Sequence, residues 1–379
     1  MKYTHKDLPS SAKHLEVNLT QVEFAKYWEV VYEEALKEIE IKGFRKGAAP
    51  KQIADAAIDK DKVFGEAATK AIREVLKEIT QEKEWEIVDQ PKIDIEEKPD
   101  GIIFKIDLVV FPEIKLGDYK KIAKKIFSEK KEITSNDEEV QEAINWILNS
   151  RAKLVRSINP AKMGDVVNIE YKGKPDQFVL GHSHIEKGLD EKIVGHKEGD
   201  EFDGVKLVSI FERQVPELSE ELVKELGNFK TIDELKNSIK DGIKKEKEIK
   251  ELERLKILLL EEIGKNSKID IPEVMIEKTL AGMLEEYKMY FKKDFNEEET
   301  KKKLRPQAEK SVISNLVLYK IAKDEKIEPT SEEVESETNK FLASLHPERA
   351  GNIDPQRIYN YSYDMVKNKK VFDLLESYK

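Results

Sequence analysis

No cysteine occurs among the 379 residues, so disulfides, thiolate catalysis and Cys-ligated zinc are all excluded. No apolar run approaches the length of a membrane-spanning helix; the stretch Ile257-Leu258-Leu259-Leu260 is short and bracketed by charge, and no membrane contact is expected. No phosphate loop of the form Gly-x4-Gly-Lys-Ser/Thr is present, so nothing points to a nucleotide cycle and no cofactor is expected. Met1 to Pro9 is polar and no apolar stretch follows it, unlike a secretory signal, which makes the cytoplasm the expected compartment. Histidine is scarce. His182, His184 and His196 fall in one stretch, but His-x-His without carboxylates or cysteines at ligand spacing is a weak metal signal, and no metal is expected.

What is abundant is charge. Charged residues make up 38% of the chain, the formal net charge is -10 and the mean hydropathy is -0.62, which suits a helix-rich protein with much solvated surface. A chain of this sign is repelled by nucleic acid as a whole, so any contact with RNA must come from a local basic patch. The length exceeds one typical core and predicts two or three domains.

The first region, residues 1–112, reads as a small α+β domain. Leu15, Val17 and Leu19 alternate with polar residues, as in a half-buried strand. Thr20 with Glu23 forms a capping box for a helix through Phe24, Tyr27, Val31, Ala35 and Ile39. A second helix is predicted through Ile53, Ala57 and Ile58, and a third through Phe64, Ala68, Ile72, Val75 and Ile79. Two strands follow, one with Ile93 and Ile95, the other with Phe104, Ile106, Leu108 and Val110; Asp100-Gly101 is a turn signal between them. Residues 113–160 read as a linker, Pro112 to Lys131 being a connector, and a helix packing toward the C-terminal body. That helix begins near Asn136 and carries Val140, Ile144, Ile147 and Leu148. The glycine-punctuated stretch 161–215 predicts a small β-rich module. From 216 to 379 the pattern is helical, with capping boxes at Thr231/Glu234 and Thr330/Glu333 and a terminal helix opening at Asp354-Pro355. Pro306 should kink or interrupt its helix.

The segment most informative about function is Gly43-Phe44-Arg45-Lys46-Gly47-Ala48-Ala49-Pro50, between the first two helices. Two glycines permit a tight path. An aromatic ring and two cations lie between them, flanked by Lys42 and Lys51. Such a tip can press its ring into a partner while Arg45 forks onto a phosphate or carboxylate. The bland alternative is an ordinary connection with Phe44 folded back and the cations merely solvated.

Gly-Phe-Arg-x-Gly-x-x-Pro resembles the ribosome-binding signature of the bacterial trigger factor family, at Gly43, Phe44, Arg45, Lys46, Gly47 and Pro50. The segments "FKIDLVVFPEIKLGDYK", "RQVPELSEELVKELG" and "IDIPEVMIEKTL" resemble family segments in the same order, so the likeness spans essentially the whole chain. The resemblance implies a multidomain α+β fold: an N-terminal ribosome-binding domain, a shortened domain of the FK506-binding-protein type, and a helical chaperone domain with arms. It implies an ATP-independent chaperone that docks on the large ribosomal subunit beside the exit tunnel, touching a protein and ribosomal RNA, and shields nascent and unfolded polypeptides. A weak homodimer off the ribosome is also implied. Relatives often carry a third cation where this chain has Ala48; Lys42 and Lys51 are expected to compensate.

The alternative function is peptidyl-prolyl isomerisation of unfolded chains. "GDVVNIEYKG" and "IEKGLDEKIVGHKEGDEF" resemble pieces of that isomerase domain, which places pocket candidates at Tyr171, Phe178, Ile185 and Leu189. Activity is expected to be weak or lost, because Lys174-Pro175-Asp176 passes straight to Gln177 and the flap before the last strand is missing. Client contact is expected from Met283, Tyr287, Met289, Tyr290 and Phe291, with Phe341, since Met and Tyr tolerate varied partners.

Overall fold

The computed structural model of the chain describes residues 1–186, 188–290, 296–344 and 354–379, with the backbone alone at Tyr290. Its contacts form two units, one of Met1–Glu129 with Leu255–Lys379, the other of Lys130–Arg254.

The first unit opens with β1 (Lys2–Leu8), β2 (Ala12–Thr20), α1 (Gln21–Glu38), α2 (Lys51–Ala57), α3 (Lys60–Lys83), β3 (Lys92–Lys98) and β4 (Gly101–Val109). The strands form an antiparallel sheet in the order β1-β2-β4-β3. Register pairs Leu15 with Ile106, Val17 with Phe104 and Leu19 with Ile102, so the alternating apolar residues of both central strands share one face. That face packs on Ala67, Ala71, Ile72, Val75 and Ile79 of α3. Thr20 and Glu23 form the expected capping box at the start of α1. The polar strand β1 was not legible in the sequence, because it is an edge strand whose residues are exposed but for a half-buried Tyr3, and it is held by its ladder to β2.

The stretch expected to be a connector holds β5 (Ile114–Lys115) and a helix, α4 (Tyr119–Ser128). Asp118 caps α4 by accepting from Lys121 N at 3.0 Å. Ala123, Ile126 and Phe127 are buried at helical spacing, a stripe that the surrounding lysines obscured.

The second unit contains α5 (Asp137–Ser150), β6 (Lys153–Arg156), β7 (Val166–Tyr171), β8 (Lys174–Val179), α6 (Leu189–Ile193), β9 (Glu201–Phe202), β10 (Val205–Gln214), α7 (Glu220–Leu226) and the first part of α8 (Ile232–Lys265). Its sheet runs β6-β10-β7-β8, with β9 added on β10. Val167, Ile169, Leu207 and Ile210 pack with Leu189 and Ile193 of α6 in its core.

The chain returns to the first unit within α8. β11 (Lys268–Ile269) pairs with β5, and α9 (Glu273–Tyr290), α10 (Glu297–Asp324), α11 (Ser331–Ser344) and α12 (Pro355–Glu376) follow. Ile276, Leu280 and Leu284 of α9 meet Ala308, Val312 and Leu316 of α10. Asp270 fastens the β1–β2 turn, accepting from Ser10 N at 3.0 Å and Ser11 N at 2.6 Å. The expected interruption at Pro306 does not occur: α10 is helical from Glu297 to Asp324. Proline in a helix interior costs about 3 kcal/mol. Here Pro306 and Lys302 are both exposed, while Leu304, Ala308 and Val312 on either side keep the helix packed on α9.

Candidate docking loop and client-contact surfaces

Loop 39–50 is a set of tight turns. Phe44 N donates to Ile41 O at 3.0 Å, Gly47 N to Ile39 O at 3.0 Å and Ala48 N to Arg45 O at 2.9 Å. Gly43 and Gly47 have φ of +99° and +67°. Gly47 is also sterically required, since a Cβ there would lie 2.5 Å from the Lys37 carbonyl oxygen; at Gly43 the space is open. Pro50 occupies the N-cap of α2, where its carbonyl accepts from Ile53 N at 2.9 Å.

This backbone lifts Phe44, Arg45 and Lys46 outward, and all three are exposed. Phe44 is 43% accessible, against 0% for Phe104 of the neighbouring sheet, so it has not folded back into the core. The two cations differ. The Arg45 guanidinium makes no hydrogen bond or ion pair among the described residues. The Lys46 ammonium donates to the Glu38 carboxylate at the end of α1, and that bond raises its pKa above the ordinary lysine value.

The isomerase candidates lie together in the second unit, but as packing. Phe178 and Leu189 are 7% and 2% exposed within the core, with Tyr171 and Ile185 packed against it. The Tyr171 hydroxyl donates to Glu186, and Lys172 lies 4.6 Å from the Tyr171 ring centroid. A pocket for a twisted prolyl amide needs apolar walls around an open space, whereas Phe178 and Leu189 are buried in the core of this unit. Phe178→Ala is therefore expected to destabilise this unit by about 3–5 kcal/mol, as for a large-to-small core change, read by chemical denaturation. A change in stability under 1 kcal/mol would return Phe178 to an open pocket wall. Among the described residues, no group of three or more His, Asp or Glu side chains gathers in a way that could hold a metal. His184 instead pairs with Asp176 at 3.2 Å, and His196 stacks on Phe202 with centroids 3.8 Å apart.

The expected client-contact residues divide. Met283 packs against the α9–α10 core. Tyr287 and Met289, in the last turns of α9, are 36% and 69% exposed. Phe341 lies on α11, its ring centroid 5.0 Å from that of Tyr361 on α12. Tyr359, Tyr361 and Met365 are also exposed on α12. The side chain of Tyr290 and all of Phe291 lie outside the described residues.

Comparison with known proteins agrees with the family resemblance. The family model described as bacterial trigger factor protein matches residues 1–147, and that of the trigger factor C-terminus matches residues 231–375. The chain belongs to the trigger factor family. Trigger factor of Caldicellulosiruptor bescii is 26% identical over 96% of this chain and 89% of its own length. That of Staphylococcus epidermidis is 29% identical over 91% and 90%, and that of Carboxydothermus hydrogenoformans 28% identical over the whole of both chains. A solved structure from work on promiscuous substrate recognition by the trigger factor chaperone superposes with a TM-score of 0.56 at 21% identity, covering 100% of this chain and 99% of that one.

Within this trigger factor framework, sequence reading located the loop but missed Glu38. The pairing of Glu38 with Lys46 spans eight positions across two glycine turns, and no helical or strand spacing announces it. The acidic residue at the end of α1 was the available signal, since a carboxylate at a helix C-terminus is unfavourable without a nearby cation.

Proposed function

We propose that this chain is an ATP-independent, ribosome-associated chaperone that docks through Phe44 and Arg45 beside the polypeptide exit tunnel and shields nascent chains. The observation that carries this reading is the loop itself: an exposed aromatic and an unpaired guanidinium, held out by two glycine turns on a packed domain. The chemistry fits a protein pocket for the ring and a carboxylate or RNA phosphate for the guanidinium. A rigid turn limits the ordering cost on binding, which favours affinity from a small contact. The isomerase reading is disfavoured by the packed positions of Phe178 and Leu189. No described helix is long and apolar enough to cross a membrane.

Client contact is assigned to the exposed apolar side chains of α9 and α12, with the half-buried Phe341 of α11 beside Tyr361, set among charged neighbours. Such surfaces bind many sequences weakly and release them quickly. Replacing Tyr287 and Met289 together with Ser is expected to weaken client binding roughly fivefold, about 1 kcal/mol, with helicity by circular dichroism unchanged. The assay is suppression of aggregation of a chemically unfolded protein. Full suppression by the variant at wild-type concentration would remove these two residues from the client surface.

A further inference from the structure

The two cations at the loop tip are in different states, and the difference originates in α1. That helix ends at Glu38, with Glu40 two residues further on, so its negatively polarised C-terminal end carries two added carboxylates. The turn then brings residue 46 back to the same place. Gly47 N bonds to Ile39 O at 3.0 Å, and Gly47 packs so closely on the Lys37 carbonyl that no Cβ fits. The residue just before Gly47 is thus held beside the helix end by backbone geometry, and its ammonium closes on Glu38. Arg45, one position earlier, is exposed, and its guanidinium is unpaired among the described residues.

We propose that Glu38 sets the strength and salt dependence of docking by holding Lys46 against the end of α1, so that Lys46 reaches a partner's anion only by leaving Glu38. This rests on the docking reading above and adds a positioning residue to it. In the resting loop the guanidinium of Arg45 is ready for a phosphate or carboxylate, while the Lys46 contact requires exchange of one ion pair for another. Both side chains of the pair are well exposed, 49% for Lys46 and 73% for Glu38, so the exchange is fast and the effect graded. A partner that offers RNA phosphate at the right place wins the exchange; one that offers no anion meets a loop of lower effective charge.

The test has two arms and uses the full-length chain. In the free chain, acetylation of Lys46 by an N-hydroxysuccinimide ester is followed by peptide mass spectrometry, with Lys42 as the internal reference. Glu38→Gln, which keeps shape and removes charge, is expected to speed Lys46 acetylation relative to Lys42 by about two- to fivefold, the range of an exposed ion pair. In the second arm, ribosome binding is measured across a salt series. Glu38→Gln is expected to tighten binding by about two- to fivefold at low salt, and to steepen the slope of log affinity on log salt by about 0.7–0.9, one added phosphate contact. Lys46→Ala should abolish that gain in the Glu38→Gln background while changing the native chain less. Unchanged acetylation overturns the proposal, and so does faster acetylation with unchanged affinity and slope. Phe44→Ala is the control on the docking reading: if it leaves ribosome binding intact, that reading fails, while the acetylation arm still decides whether Lys46 is held.

Discussion

Replacing Phe44, Arg45 and Lys46 together with Ala is expected to lower ribosome affinity by about 100-fold, close to 3 kcal/mol. Arg45 supplies a charge-assisted bond worth about 1.5–3 kcal/mol. Burying the exposed part of the Phe44 ring adds roughly 1–1.5 kcal/mol, less than a whole phenylalanine because the ring is already partly covered. Lys46 adds least, since it exchanges one anion for another. The folded protein should barely notice. All three residues are exposed, and none belongs to the domain core formed by β2, β4 and α3. The thermal midpoint is expected within about 2 °C of wild type, as for surface changes away from caps and cores. Loss of binding with an unchanged midpoint separates docking from stability; loss of both would mean that the loop holds the domain together.

The second large effect is expected at Gly47. With φ of +67° and the Lys37 carbonyl oxygen 2.5 Å from the site of a Cβ, Gly47→Ala meets both a disfavoured backbone region and a backbone clash. The left-handed region costs a side-chain-bearing residue roughly 1–2 kcal/mol, and the clash is relieved only by moving the turn. Gly47 N would then leave Ile39 O, and the direction in which Arg45 and Phe44 project would change. Ribosome binding is expected to fall by about tenfold or more, in line with one lost anchor. Gly43→Ala is the matched comparison: its φ is +99° but its surroundings are empty, so it carries strain without a clash and should lose only a few-fold. Co-sedimentation of both variants checks the order. A Gly43 variant as impaired as the Gly47 variant would show that backbone strain alone, and not the approach to Lys37, sets the loop.

These contrasts also show which features a sequence displays. Capping boxes are local, and Thr20/Glu23 and Thr330/Glu333 both formed as their spacing required. The central strands were legible because one face is buried, giving Leu15, Val17 and Leu19 their alternation. β1 was not, because an edge strand exposed on both faces has no alternation to show. α4 was legible in principle, through Ala123, Ile126 and Phe127, but its lysines dominated the reading. The interruption expected at Pro306 did not occur because this exposed residue lies in a helix that Leu304, Ala308 and Val312 hold on α9, a property of the fold. At the loop, residue types and glycine positions were readable. The pairing of Lys46 with Glu38 was not, since it follows from a path that only the folded turn defines.

The most direct test of docking is quantitative co-sedimentation of the wild-type chain and the Phe44-Arg45-Lys46→Ala-Ala-Ala variant with client-free ribosomes over a salt series. Wild type should pellet with ribosomes and lose affinity moderately as salt rises, as expected for a loop neutralising few phosphates, while the variant stays in the supernatant throughout. Equal pelleting of the two proteins, or wild-type binding indifferent to salt, would contradict docking through this loop.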